Sequence, residues 1–390
     1  MLGCLTTGVS GLSANNSDMS VIANNIANAN TTAYKSQRSN FADVLSQRFG
    51  DLEVGSGVSV YSISSMSNQG PMNATNNVTD LAIDGAGFFV VKDNSGTYYT
   101  RAGQFHVDKD GKLVTPKGCA VQGWDLRSNS GTASLPSDID ISDVSLPPKA
   151  TETISMGVNL ASDDDAITAT FDLEDSTTYN KAFSVPVYDD LGNAHNVTLY
   201  FQKTAEDQWT WYASDGGTYL DGQTGNLDFT AESLAEGTIT IDGLSMTIDF
   251  SDTTQFGSTY SMNSIDQDGY EAGSLKRISV TQQGVIQAIL TNGRAQDIAL
   301  IALADFKDPD GLMKVGDNLY LFTPQSGQPV INPPETGGKG RILAYYLEGS
   351  NVDLAAEFVR MIVTQRAFQA NARTITTADQ MLTELVNLKR

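Results

Sequence analysis

The two histidines are the residues of this chain best suited to acid–base chemistry near neutral pH. His106 stands between Phe105 and Val107 in a strand-like stretch, and His195 follows a predicted hairpin turn. Catalysis by such a group needs a nucleophile or a second acid placed beside it, and neither histidine lies in a motif typical of that arrangement. We therefore predict structural roles for both histidines, no catalytic residue and no enzymatic activity.

The sequence Gly85-Ala86-Gly87 is similar to the start of a dinucleotide-binding loop. The third glycine of that fingerprint would fall at position 90, which is Val90. The residues that follow have the composition of a strand, whereas phosphate binding at such a loop requires the N-terminus of a helix. We expect these glycines to permit close packing of strands, and we predict no bound cofactor.

Three Asp-x-Asp-Gly sequences, at residues 108–111, 266–269 and 308–311, have the spacing of carboxylates in a calcium loop. None of them is placed so that an acidic first ligand and a terminal glutamate complete the loop. The pattern favours turns at all three places. No spacing of Cys and His suits zinc, so we predict no metal site, and we expect Cys4 and Cys119 to be free thiols.

Charge is distributed unevenly along the 390 residues, whose net charge is −22. Residues 151–275 contain 22 Asp and Glu and two Lys, a net of −20, whereas residues 1–50 carry three basic and two acidic side chains. This balance argues against nucleic acid as a partner, because no basic patch is present to meet phosphates. No stretch is apolar for long enough to span a membrane, and no cleavable signal peptide is visible at the N-terminus. We therefore predict no membrane insertion.

The elements that would position any site are two terminal helices with strands between them. Apolar residues at helical spacing predict a helix over residues 3–29, and a second helix begins after an N-cap at Asn351 or Asp353. Short strands with Gly-containing turns fill the region between them, which predicts a β-meander from residue 81 and a hairpin around Asn292-Gly293. Because the two halves of a β-domain flank the acidic insert, we expect the domains to be nested and the two termini to lie on one side.

Both predicted helices carry apolar residues repeated every seven positions, which is the pattern of helices that pack in coiled coils. One helix face against one partner buries little apolar surface, so we expect further copies of the chain to supply more neighbours. An unusual face of the first helix is rich in Asn, and these amides should contact neighbours or line a polar surface. The predicted assembly interface comprises Leu5, Leu12, Met19, Ile22, Asn24, Asn25, Ile26, Asn28, Leu354, Phe358, Met361, Phe368, Ile375 and Leu382.

The predicted fold class is α+β and multidomain, with the terminal N- and C-helices forming a coiled-coil-like pair and with nested all-β outer domains. The predicted domains are a helical core of residues 1–30 with 354–390, a connecting segment of 31–77 with 325–353, a β-domain of 78–147 with 276–324, and an acidic outer β-domain of 148–275.

Several long motifs resemble those of the bacterial flagellar axial proteins, the family of rod and hook subunits. The N-terminal match covers residues 10–12, 22–31 and 34–35, and the C-terminal match covers residues 350–354, 365–371 and 379–382. Residues 85–89 and 99–105 look like the β-domain of the family, and residues 122–124 and 188–195 look like its hook members in particular. The resemblance covers nearly the whole chain; Cys4 is unusual for a terminus of this family.

The resemblance implies a structural subunit that self-assembles into the hook, a flexible helical tube that links the rod to the filament. It implies as partners other copies of the chain, the distal rod protein, the hook cap protein, the hook–filament junction protein and the flagellar type III export apparatus. It also implies an extracellular location and export without a cleaved signal peptide.

Three alternatives stay open at this point. A distal rod protein would share both terminal motifs but lack the insert of residues 151–275. A junction protein is disfavoured by the length of the chain and by the hairpin at residues 188–195. A secreted hydrolase or lectin would use the acidic domain, and a glycan or activity screen of that domain would reveal it.

Overall fold

The computed structural model describes residues 2–45, 47–49, 52–127, 135–142, 144–231, 234–241 and 243–387. Within these ranges the chain has two α-helices, α1 (Leu2–Ala27) and α2 (Leu354–Asn387). Asp353 caps α2, because its Oδ1 accepts hydrogen bonds from the backbone N–H groups of Ala355 (2.9 Å) and Ala356 (3.2 Å). Across the described residues, neither helix combines the length and hydropathy needed to cross a membrane.

The strands between the helices are short, and most of them pair in antiparallel fashion. The strands of the first half are β1 (Gln37–Asp43), β2 (Gln47–Phe49), β3 (Leu52–Val54), β4 (Val58–Ser65), β5 (Met72–Ala74), β6 (Leu81–Asp84), β7 (Phe88–Lys92), β8 (Thr97–Thr100), β9 (His106–Val107), β10 (Leu113–Val114), β11 (Ala120–Asp125), β12 (Ser137–Asp138), β13 (Ser145–Leu146), β14 (Thr153–Ala161) and β15 (Lys181–Tyr188). Those of the second half are β16 (Ala194–Ala205), β17 (Gln208–Asp215), β18 (Thr218–Asp228), β19 (Gly237–Ile241), β20 (Leu244–Asp249), β21 (Thr254–Phe256), β22 (Ser261–Gln267), β23 (Gly273–Val280), β24 (Val285–Leu290), β25 (Ala295–Ile301), β26 (Leu303–Asp305), β27 (Met313–Gly316), β28 (Leu319–Leu321), β29 (Val330–Asn332), β30 (Arg341–Ala344) and β31 (Tyr346–Glu348).

The chain divides into two compact units. Unit one comprises Met1–Asp143, Ile278–Ala288 and Gln296–Arg390, and unit two comprises Val144–Arg277 and Ile289–Ala295. Unit two is thus inserted into the sequence of unit one. The finer division into four domains stays a prediction.

Unit one is built from strands that come from both halves of the chain. β5 pairs with β31 and β6 pairs with β30, so that segments close to the two helices are joined. β7 pairs with β8, but β8 then pairs with β28 from the other end of the chain. The predicted meander is therefore wrong as a continuous element, because a strand distant in sequence takes the place beside β8. Phe88, Tyr99 and Phe306 form an edge-to-face aromatic cluster in the core of the unit.

The connecting segments of unit one contain more β-strand than their polar composition predicts. Residues 62–77 contain part of β4 and all of β5, and residues 325–340 contain β29. β1 and β4 form a two-stranded ribbon, and both strands contact α1. Serine and asparagine on these strands hide the alternation of apolar residues that normally reveals a strand in a sequence.

Unit two has a four-stranded antiparallel sheet, β15-β16-β17-β18, and a second sheet containing β14 and β19 to β22. The inward side chains of β15 alternate with exposed ones, as expected for a sheet with one face in the core. Trp209, Trp211 and Phe250 are fully buried in that core. The hairpin turn predicted at residues 188–195 is present, because Asp189 Oδ1 accepts hydrogen bonds from the backbone N–H groups of Leu191 and Asn193.

Candidate assembly surface

α1 and α2 lie side by side in opposite directions. Near the start of α1, a Cβ atom added to Gly8 would come within 2.9 Å of Ile375, towards the end of α2. Near the end of α1, Asn25 Nδ2 donates to Glu357 Oε1 at 3.2 Å, in the first turn of α2. The two helices therefore form an antiparallel pair within one chain.

The contacts between the helices recur every seven residues on both partners. Gly11 lies against Asn371, Asp18 lies against Thr364, and Asn25 lies against Glu357; we call these six residues the helix seam. A Cβ at Gly11 would be 2.6 Å from Asn371 Nδ2, so the absent side chain lets the helices approach closely. The seam therefore has heptad spacing but consists of small and polar side chains.

Asp18 and Glu357 bring two carboxylates into the helix seam, and both are buried. Thr364 Oγ1 donates to Asp18 Oδ2 at 3.0 Å. Arg360 reaches both carboxylates, with Nη2 3.5 Å from Asp18 Oδ1 and Nη1 3.2 Å from Glu357 Oε1. Polar contacts of this kind specify the register between two helices more strictly than apolar contacts do.

The apolar residues predicted to join the helices lie mainly at the margins of the helix seam. Ile22 is fully buried, but Leu354 and Phe368 remain 43% and 40% exposed. Phe358 is also exposed. The remaining predicted apolar positions are half-buried: Leu5, Leu12, Met19, Ile26, Met361, Ile375 and Leu382. Coiled-coil packing by the apolar heptads is therefore not confirmed, although the helices do pair. On α1, Leu12, Met19 and Ile26 each follow a seam residue by one position, which is about 100° around the helix, so the apolar repeat lies beside the seam.

Asn25 shows how one of the predicted amides is used. Its Oδ1 accepts from the backbone N–H of Gln37 (2.9 Å) and from the Tyr34 hydroxyl (3.3 Å), and its Nδ2 donates to the Gln37 carbonyl oxygen (2.8 Å) and to Glu357. Burial, together with the Glu357 carboxylate, raises the pKa of Tyr34. Asn24 donates to the same tyrosine hydroxyl, and Asn28 Nδ2 donates to the carbonyl oxygen of Asn24. Asn24 and Asn25 thus fix the end of α1 against the segment that follows it, whereas Asn28 bonds back to the helix.

The face of α2 opposite the helix seam is apolar in its first three turns and is exposed. Phe358, Val359, Ile362 and Val363 have 50%, 61%, 51% and 61% of their surface accessible; we call these four residues the α2 stripe. Exposed patches of large apolar side chains on a folded protein mark interaction surfaces. The α2 stripe includes only Phe358 from the residues predicted by sequence.

The sequence did not predict a buried ionic cluster between the segment after α1 and the segment before α2. Glu348 is fully buried, and its Oε1 lies 2.5 Å from Lys35 Nζ and accepts from the Gly70 N–H at 2.9 Å. Arg101 Nη1 lies 3.6 Å from Glu348 Oε2. Burial lowers the pKa of Lys35, and the Glu348 carboxylate opposes this effect. We call Lys35, Arg101 and Glu348 the Glu348 cluster; it joins the segment after α1 to the segment before α2.

The histidines and the Asp-x-Asp-Gly sequences first considered for chemistry lie in strands and turns. His106 is exposed at the end of a strand, and His195 Nδ1 lies 2.9 Å from Asp215 Oδ2. Asp108 Oδ1 accepts from two backbone N–H groups of its own turn, and Asp308 caps a short 3₁₀ turn. Cys4 is exposed and Cys119 is buried, and both thiols are free.

Four protein families match successive parts of the chain. Residues 5–35 match "Flagella basal body rod protein", and residues 82–159 match "Flagellar hook protein FlgE/F/G D1 domain". Residues 159–270 match "Flagellar basal body protein FlaE D2 domain", and residues 343–388 match "Flagellar basal body rod FlgEFG protein C-terminal". The terminal matches contain most of the helical pair, and the D2 match lies entirely within unit two.

Relatives named flagellar hook protein FlgE are similar to this chain over its whole length. That of Borreliella burgdorferi is 35% identical, with 100% of both chains covered, and that of Salmonella typhimurium is 34% identical, with 98% of each covered. A crystal structure of Helicobacter pylori flagellar hook protein FlgE2 has 17% identity and a TM-score of 0.53, covering 71% of this chain and 100% of that one; it supports the fold alone. Given relatives more than 30% identical across both units and both helices, the chain belongs to the flagellar hook protein family.

Proposed function

We propose that copies of this chain assemble through α1 and α2 into a flexible tube that joins the flagellar rod to the filament. The observation that supports this proposal best is the α2 stripe. Four large apolar side chains on one helix face stay exposed because α1 covers the opposite, polar face. Because only 50–61% of each side chain is still accessible, burying it against another copy would stabilise the polymer by about 0.8–1.8 kcal/mol.

The two surfaces of α2 would then divide the work of assembly. The helix seam fixes the register of the pair inside one subunit, since its contacts are polar and specific. The α2 stripe supplies the apolar contact between subunits, which tolerates small shifts because apolar contacts have little directionality. This combination suits a polymer in which subunits change their spacing during bending while each helical pair stays intact.

The partners and the location of the assembled protein are part of the proposal. The distal rod protein would meet one end of the tube, the hook cap protein would guide growth, and the hook–filament junction protein would meet the other end. Export by the flagellar type III apparatus would need no cleaved signal peptide. The high acidic charge of the insert would keep outer parts of neighbouring subunits from adhering, because like charges repel.

The substitution Ile362→Asp tests the role of the α2 stripe. Ile362 lies outside the helix seam, so the monomer should keep its helical content while assembly on hook fragments is lost. The matched control is Gln369→Asp, which places the same charge two turns further along the same face, at a position that is already polar. Electron microscopy of both proteins after seeding measures tube formation. Normal tubes from Ile362→Asp would refute the role given to the stripe.

A further inference from the structure

A cavity of about 310 Å³ lies in unit one beside the Glu348 cluster. One of its walls is the turn that includes Ala86, which was first considered as part of a nucleotide loop. Gly85 and Gly87 on either side have φ values of +116° and +123°, a conformation that L side chains rarely adopt. The volume is at the lower end of the range typical of small ligand sites, so the cavity can hold a group of a few heavy atoms.

Polar groups that line this cavity have unused capacity for hydrogen bonding. Arg101 is 7% exposed, and among the described residues its Nε has no hydrogen-bond partner. The Oγ of Ser65 is buried and, within the same ranges, has none either. The contacts of Arg101 Nη1, 3.5 Å to the Ile83 carbonyl oxygen and 3.6 Å to Glu348, are long. Both atoms have almost no accessible surface, so an acceptor in the cavity would reach them after a small shift of these side chains. Leaving buried donors unpaired is costly, so such an acceptor would be bound favourably.

The charges around the cavity specify the kind of acceptor. Lys35 and Arg101 are balanced by Glu348 and Asp305, and Asp305 itself lines the cavity. A free anion would therefore bring an excess of negative charge, whereas a neutral carbonyl oxygen would not. The ring of Phe88 and the Gly-Ala-Gly turn add apolar walls. The cavity suits a neutral amide carried beside an apolar group.

We infer that this cavity receives a peptide segment of a second copy of the chain, which offers a backbone carbonyl to Arg101. The inference rests on the proposed function, since self-assembly brings identical copies together. It is supported by the continuity of the surface: Ser65 ends β4, and β4 packs along α1, the helix through which copies would assemble. The segment would place its apolar side chain against Phe88.

The substitution Ala86→Trp tests this inference by filling the mouth of the cavity. The side chain of Ala86 is exposed, and its carbonyl oxygen keeps the hydrogen bond from the Gly340 N–H, so the monomer should unfold at an unchanged temperature. The critical concentration for assembly should rise at least about tenfold. The matched control is Ala231→Trp, at an exposed turn of unit two, which should assemble as the wild type does.

Photocrosslinking identifies the occupant directly. With p-benzoylphenylalanine at position 86, tubes grown from the purified protein should give covalent dimers, and unassembled protein should give none. If wild-type tubes form and Ala86→Trp assembles equally well, this inference alone is overturned. Tubes that give no covalent dimers would also overturn it. A wild-type chain that forms no tubes on hook fragments would overturn the proposed function and this inference together.

Discussion

Replacement of Glu348 by Gln should destabilise unit one strongly. Glu348 is fully buried, and its carboxylate is the acidic partner of both Lys35 and Arg101. The amide keeps the shape of the side chain but removes its charge, which leaves two buried cations facing a neutral group. Breaking a buried ion pair by neutralising one partner costs about 3–5 kcal/mol. For a unit of this size, that cost corresponds to a fall in melting temperature of about 6–20 °C.

Calorimetry of the monomer at pH 7 measures this fall, and hydrogen exchange of the β6 and β30 peptides shows whether it arises in unit one. Asp317→Asn is the matched control, because it removes the same charge from an exposed ion pair with Lys117. Exposed pairs contribute little, so the control should melt close to the wild type. A Glu348→Gln variant that melts within about 2 °C of the wild type would refute the reasoning.

Two further predictions concern other parts of the chain. Asn25→Ala should lower the free energy of unfolding of unit one by about 1–3 kcal/mol for each buried group that it leaves unpaired, as measured by urea titration. The control Asn16→Ala, on the exposed side of α1, should change it little. Burial raises the pKa of Asp268, but hydrogen bonds from Lys149 and from two backbone N–H groups outweigh it and lower the pKa to about 2. Because the folded pKa is below the unfolded one, the stability from this group is present above about pH 4 and is lost as the pH falls towards 2. Thermal melts of unit two between these pH values should show the loss, and Asp268→Asn should reduce it.

The elements that depend on local chemistry were predictable from the sequence. The capping aspartate Asp353 and the Asn292-Gly293 turn involve residues close in sequence. Side-chain volume and hydrogen-bonding groups within a few residues determine these features. The pairing of the terminal helices was also predicted, but from an apolar repeat that lies beside the helix seam and whose coiled-coil packing is not confirmed.

The composition of the helix seam was not predictable in the same way. Gly11 and Asn371 have no apolar surface to mark them as contact residues, and close approach of two helices is visible only when both are placed. The Glu348 cluster is also hidden, because 313 residues separate Lys35 from Glu348 in the sequence. The apolar repeat indicated that contacts recur every seven residues, but it could not show which of the two interleaved series of residues lies against the other helix.

The pairing of β5 with β31 and of β6 with β30 has a consequence for the order of folding. A chain that emerges N-terminus first presents β5 and β6 long before their partners, which begin at Arg341. Unit two, in contrast, is almost entirely contained in one continuous stretch and can complete its core as soon as that stretch is free. Because contacts between distant residues form slowly, unit one should be the last part to fold. The segments next to α1 and α2 can therefore pair only after nearly the whole chain has emerged. An incomplete chain cannot form the strand pairs that join the two helices.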